Sequence, residues 1–366
     1  MSSQQSTVKE GEGALETAVS DGCDEGTRNS DPELPHSPRR PPFDLNNFPF
    51  TFENACGTAA RSAHIEPDLN ANTNYRDGES ITSSVTAYRE ENGRTYHAYS
   101  DGSYHYPNDS LELERLDWQF ICLKRLFNGK NYFAPWSQER PPKRILDLAT
   151  GTGLWAVEMA EEFESSTVIG TDLSPIQPEY VPPNIRMSLG AWENFEIDVA
   201  RKAFDHLEPD GWFEAQELLP SLGCDDGSMP ADYAPNLLFN DLEDCARREQ
   251  RPLDIAKTYK QGLINAGFVD VTQQVYKIPI NGWARSRNWK TLGDLWNVNC
   301  LDAIQGVAMA LLHRARGLKR HQIEIHLMET RRGLSDKSVH AYQSCYVVLG
   351  RKPRPDEVVA TTSKPQ

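Results

Sequence analysis

Regular apolar periodicity first appears past residue 108, where Leu113, Leu116, Phe120, Leu123 and Phe127 recur at helical spacing. Asn108, Asp109 or Ser110 can cap this helix and Asn128-Gly129 can end it, so one face of it is expected to pack on a core. The short apolar run KRILDLAT follows Pro141-Pro142 and turns through Gly151-Thr152-Gly153 into a helix, LWAVEMAEEF. A second apolar run, TVIGTDL, completes a βαβ opening. Residues 192–207 carry Trp192, Phe195, Val199, Ala203 and Leu207 on adjoining helical faces, break at EPDG, and lead into the strand WFEAQELL. YKQGLINAGFVDVTQQVYKI reads as helix, glycine turn and strand, and HAYQSCYVVLGRK as a last strand. Strands alternating with helices predict an α/β sheet.

Ahead of this pattern, residues 1–80 are rich in Ser, Gly, Pro, Asp and Glu and bury too little apolar surface to offset ordering entropy. They read as a disordered acidic tail, with 14 Asp/Glu against 6 Lys/Arg, or −8 of the chain's −15. Residues 81–140 read as a cap and helical region, 141–352 as the main domain with an insertion at 281–338, and 353–366 as a flexible tail. The net charge of −15 argues against direct nucleic-acid binding or a membrane-surface role. Seven scattered cysteines without a C-x-x-C pair read as reduced thiols of an intracellular protein, in cytoplasm or nucleus. The N-terminus lacks a signal pattern, and no apolar run reaches the roughly 18 residues that a bilayer requires. His313, His321, His326 and His340 lack metal-ligand spacing, so no metal is expected.

The chemistry centres on Asp147-Leu148-Ala149-Thr150-Gly151-Thr152-Gly153. Glycines at a strand-to-helix turn let a ligand approach the backbone and the free helix N–H groups. Asp172, at the tip of the second strand, can accept hydrogen bonds from a ribose. Gly151-Thr-Gly153-Leu-Trp-Ala156 also satisfies a dinucleotide fingerprint, which keeps an NAD(P)-dependent oxidoreductase open as a rival. Asp147 favours the other reading. A carboxylate at the turn repels a pyrophosphate and attracts the ammonium and sulfonium of S-adenosylmethionine.

The phrases SSVTAYREENGRTYHAYSDGSYHYPND, RILDLATGTGLWAVEMA, VIGTDLSPIQPEYVPPN, AFDHLEPDGWFEAQE and YVVLGRKP occur here in the order found in a known family. Over residues 81–352 the chain resembles class I S-adenosylmethionine-dependent methyltransferases, and within them the fungal LaeA-like group linked to secondary metabolism. The resemblance implies a Rossmann-like sheet with flanking helices. It also implies that Asp147, Gly151 and Gly153 cradle the methionine part of the cofactor and Asp172 its ribose, with Ala149, Thr152 and Leu173 completing the turn. Two positions depart from the family pattern: Ala149 replaces a usual glycine, and EPDG replaces KPGG. Such proteins continue after VPPN with a third strand, a helix and a fourth strand, but only 39 positions separate Asp172 from Gly211. A strand, a crossover and a strand need roughly 30 residues. Both central strands are therefore expected to be missing, with the seam of an internal deletion near 185–187.

Glu214 and Glu217 lie where α/β sites form and could serve as a general base, but read first as solvated or ion-paired carboxylates. Tyr88, Tyr96 and His97 could either close over the cofactor or simply pack. Because the cofactor supplies the leaving group, few catalytic side chains are needed, and none is assigned. The acceptor is expected to be a small natural product, with the three tryptophans of GWARSRNWKTLGDLW able to line an apolar pocket. The alternative is a LaeA-like nuclear regulator acting through protein partners of the N-terminal tail. Residues 281–338 carry 10 Lys/Arg against 5 Asp/Glu, a bias that either meets an acidic partner or simply faces solvent.

Overall fold

A computed structural model describes residues 88–97, 105–189 and 195–357, all of which belong to one compact unit. The expectations for the N-terminal tail, for Trp192, and for the last residues of the C-terminal tail lie outside the described residues.

The described chain opens on a hairpin, β1 (Arg89–Glu91) and β2 (Arg94–Tyr96), turned at Asn92-Gly93 with φ of 54° and 79°. Both values are left-handed, as a two-residue hairpin turn requires. α1 (Ser110–Leu126) follows, and of the three candidate caps Asp109 takes the position, accepting the backbone N–H of Glu112. The same carboxylate binds the Arg94 guanidinium, so one side chain both starts the helix and ties it to the hairpin.

The α/β core comprises two three-stranded sheets. In the first, β3 (Arg144–Leu148), β4 (Thr167–Asp172) and β5 (Ile185–Leu189) run parallel in that order, and α2 (Leu154–Glu162) crosses between β3 and β4. In the second, β8 (Ala341–Arg351) lies between β6 (Trp212–Cys224) and β7 (Val269–Pro279), antiparallel to both. α3 (Phe195–His206) precedes β6, and α4 (Ala234–Arg248) and α5 (Tyr259–Ala266) follow it. The insertion between β7 and β8 forms α6 (Arg287–Arg316) and α7 (Arg320–Leu334).

The expectation of two missing strands is half corrected. Residues 185–189, placed at the seam by the sequence reading, form β5, which pairs with β4 from Val168↔Ile185 to Asp172↔Leu189. Their alternation of Ile185, Met187 and Leu189 is a strand signal, shortened by Arg186 and Ser188 to a length that the pattern alone left unread. Among the described residues no strand lies between β3 and β6, so a single rung is absent and the gap in the chain falls beyond Leu189.

α6 corrects the expectation that no segment is long and apolar enough to span a bilayer, since it meets both criteria. Its apolar residues, however, belong to the largest core cluster: Trp296, Ile304, Met309, Leu311 and Leu312 are all buried. A second cluster joins Ile145, Met159, Phe163 and Val168 beneath the glycine turn, and a third joins Leu263, Phe268 and Val348 under α3 and α5.

Candidate active site

The turn after β3 is held by hydrogen bonds that all converge on the tips of β3 and β4. Thr150 N–H donates to Thr171 O at 2.9 Å, tying the turn to β4 two residues past the end of β3. Gly151 N–H donates to Asp172 Oδ2 at 2.8 Å and Ser174 N–H to Asp172 Oδ1 at 3.0 Å, with a further bond from Leu173 N–H. Thr150 Oγ1 donates to Asp147 Oδ2 at 2.5 Å, and Gln177 Nε2 donates to Gly151 O at 2.8 Å. Thr152 bonds Asp117 of α1. The structure thus brings Asp147, Ala149, Gly151, Thr152 and Gly153, at the end of β3 and in the turn after it, beside Asp172 and Leu173 at the tip of β4.

Backbone geometry accounts for both glycines and for one departure from the family pattern. Gly151 and Gly153 have φ of 59° and 84°, the left-handed region that glycine enters without strain. A Cβ on Gly153 would lie 2.8 Å from Met187 Cε, because Met187 of β5 packs between the turn and Gly170. Ala149 takes the same region at φ 58°, although it has a Cβ.

Burial raises the Asp147 carboxyl to about 6, opposed by the Thr150 hydroxyl and reinforced by the nearby Asp172. Asp172 is also raised by burial, against three backbone N–H donors. No cation pairs with either among the described residues. Two partly desolvated carboxyls at one turn suit a cationic ligand and a ribose diol, whereas a pyrophosphate would be repelled by both.

The turn opens into a cleft of about 1260 Å³ between β3 and β6. Leu116, Phe120 and Leu123 of α1 line it, while Phe127 of the same stripe is buried in the main core and Leu123 also packs against that core, so the stripe serves both cleft and core. The buried side of α1 is polar in its first half, where Arg115 binds Glu112 at 2.7 Å and Asn299 of α6 at 3.0 Å, and apolar in its second, where Cys122 and Leu126 join the main core. Glu214 accepts the backbone N–H groups of Phe133 and Ala134 at 2.8 and 2.9 Å, which makes it a strut. Glu217 lines the cleft without a cation partner among the described residues, and burial pushes its carboxyl up to about 7. It is half-buried on the wall of the open cleft, so of the two expected readings the ion pair is absent among the described residues and partial solvation remains.

Three readings that the sequence left open are decided by the structure. Tyr96 and His97 are buried, and Tyr96 donates toward Gly306 O at 3.5 Å beneath the Arg314 guanidinium, so the cap packs on α6 rather than over the turn. Trp283 donates to Ala341 O and stacks on His340, Trp296 is in the core, and Trp289 is exposed; none of the three lines the cleft. Part of the basic insertion is committed internally, with Arg314 on Glu91, Arg316 on Asp241 and Lys337 on Asp294. Sequence reasoning missed Asn108, whose amide donates to Ser174 at 3.4 Å and joins the YPND segment to the loop after Asp172. It also missed Gln177 and Asp117; the unusual phrase DLSPIQPEY contained the first, while the second carried no signal.

A parallel βαβ unit with a glycine turn and acidic strand tips is the nucleotide-binding half of a class I S-adenosylmethionine methyltransferase. A methyltransferase domain family matches residues 119–273. The secondary metabolism regulator LAE1 of Cochliobolus heterostrophus is 32% identical over 72% of this chain and 94% of its own length. The secondary metabolism regulator laeA of Monascus pilosus is 30% identical over 75% and 82%, and the methyltransferase pytC of Aspergillus terreus 29% identical over 79% and 96%. The chain belongs to the LaeA-like family of S-adenosylmethionine-dependent methyltransferases, and the dinucleotide reading falls away.

Proposed function

We propose that the turn holds S-adenosylmethionine and that the cleft beside it receives a small apolar acceptor of fungal secondary metabolism. When bound, the cofactor supplies an electrophilic methyl group and its own leaving group. The chain's part is to bind, orient and exclude water. Asp172, fixed by three backbone donors, keeps about one of its four lone-pair sites for a ribose hydroxyl, and Asp147 sits where a cation offsets its burial. Leu116, Phe120, Leu123 and Trp155 would hold an apolar acceptor, and Glu217 stands in the same cleft to accept a proton from it. The names of the pytC and laeA relatives support the assignment to secondary metabolism.

The observation that carries this reading is the Gly151 N–H to Asp172 bond, which aligns the acidic strand tip with the glycine turn. Titration calorimetry with S-adenosylhomocysteine tests it: Asp172→Ala should weaken binding at least tenfold, while NADH should show no saturable binding. An unchanged affinity in Asp172→Ala would remove Asp172 from the site.

A further inference from the structure

Besides its sulfonium and ammonium, S-adenosylmethionine carries an α-carboxylate, and the acidic side chains at the turn do not suit it. Asp147 and Asp172 repel it, and so does Asp117 of α1, whose Oδ1 is buried without a hydrogen-bond partner. Burial raises all three carboxyls, and among the described residues no cation pairs with them. An anion brought to this turn needs N–H donors on a wall that faces the acidic strand tips.

α1 forms such a wall. Leu116 Cδ1 lies 3.5 Å from where a Cβ on Gly151 would stand, and Asp117 accepts a bond from Thr152. Gln119 follows Leu116 by three residues, so the two share a helix face, and both line the cleft. Other side-chain donors around the turn are committed: Thr150 to Asp147, Thr152 to Asp117, and Trp155 Nε1 and Gln216 Nε2 both to Asn131 O, at 2.7 and 2.9 Å. Lys143 and Arg144 reach the cleft at the start of β3, the end of the strand remote from the turn.

Gln119 differs from these. Arg115 Nη1 donates to its Oε1 at 2.8 Å, and because a guanidinium carries only donors, the amide oxygen faces Arg115 and the NH2 group faces away. Among the described residues no acceptor takes that NH2 group, and Gln119 is only half-buried. Arg115 is held in turn by Glu112 at 2.7 Å and Asn299 at 3.0 Å, which fixes the orientation of the pair. A bond from a cation also polarises the amide and strengthens its remaining N–H donors.

We propose that Gln119 donates its amide N–H groups to the α-carboxylate of S-adenosylmethionine and so places the amino-acid end of the cofactor between α1 and the glycine turn. The assignment rests on the reading that the turn holds this cofactor. It accounts for how a site built from acidic strand tips accepts a ligand that is itself anionic at one end. The carboxylate turns away from Asp147 and Asp172 toward a neutral donor backed by a guanidinium, while the sulfonium and ammonium stay with the acidic side chains.

The test is titration calorimetry of the full chain with S-adenosylmethionine and with its decarboxylated form, which keeps the sulfonium and the ammonium and lacks only the carboxylate. The readout is the ratio of the two affinities. Gln119→Leu keeps the bulk of the side chain and removes its donors, so the ratio should move about tenfold toward the decarboxylated ligand, the worth of a hydrogen bond to a charged group. Gln119→Glu still accepts the bond from Arg115, which preserves the packing of α1, but repels a carboxylate, so its ratio should move at least as far. A ratio that neither variant moves would overturn the assignment, even if both affinities fell together. Binding of neither ligand by the wild type would instead remove the cofactor reading, and this assignment with it.

Discussion

At Ala149 and Asp210 the chain departs from its family's glycine-rich phrases, and both residues sit at positive φ, 58° and 70°. The left-handed region costs a non-glycine residue about 1–2 kcal/mol, partly offset by the lower chain entropy of the unfolded state. Asp210 is compensated by Arg351 at 3.2 Å and by Arg354 at 3.1 Å, whereas Ala149 has no such partner. Ala149→Gly is expected to stabilise the chain by about 1 kcal/mol in urea denaturation, and Asp210→Gly to give no gain. The Asp147 carboxyl yields a pH prediction. Its folded-state value, about 6, is raised above the usual 3.8 of an aspartate, so its ionisation opposes folding at neutral pH and that opposition is relieved as the pH falls through 6. Binding of a cation requires the ionised form, so affinity for S-adenosylmethionine should fall below pH 6, approaching tenfold per unit. Asp147→Asn should bind more weakly at pH 7.5 and lose that dependence, as calorimetry at several pH values would show.

At the scale of elements, the hairpin and α1 depend on Asp109, which caps the helix and pairs with the mostly buried Arg94. Asp109→Ala removes the cap and leaves a buried guanidinium unpaired, a loss of about 3–5 kcal/mol. Asp109→Asn keeps a cap acceptor and should cost less, a ranking that thermal denaturation can check. Cap, glycine turn and strand tips were legible in the sequence because each depends on residue type at fixed spacing. The hairpin at Asn92-Gly93 carried a turn signal, yet the aromatic residues around it drew the reading toward a lid. β5 was missed because five residues, one of them Arg186, give too short an alternation to stand out after Pro182-Pro183. The α1 apolar stripe was read only in part: periodicity reveals a face, but not that Phe127 meets the core while Leu116 and Phe120 meet a cleft.

At the scale of the whole molecule, three core clusters support two half-sheets, and what the fold lacks is the strand that would join them. The free edges line an open cleft where water can reach them, so their cost is smaller than that of sealed backbone groups, about 1–3 kcal/mol each when buried. The hazard shifts from unfolding toward edge-to-edge association, favoured further by Leu146 at the surface. The turn proposed to hold S-adenosylmethionine is formed, but among the described residues no strand walls its open side. The most direct measurement compares calorimetric titration of S-adenosylmethionine into this chain with titration into a version carrying a family-typical helix and strand after Leu189. The restored protein should bind at least tenfold more tightly, and equal affinity of the two would contradict the account.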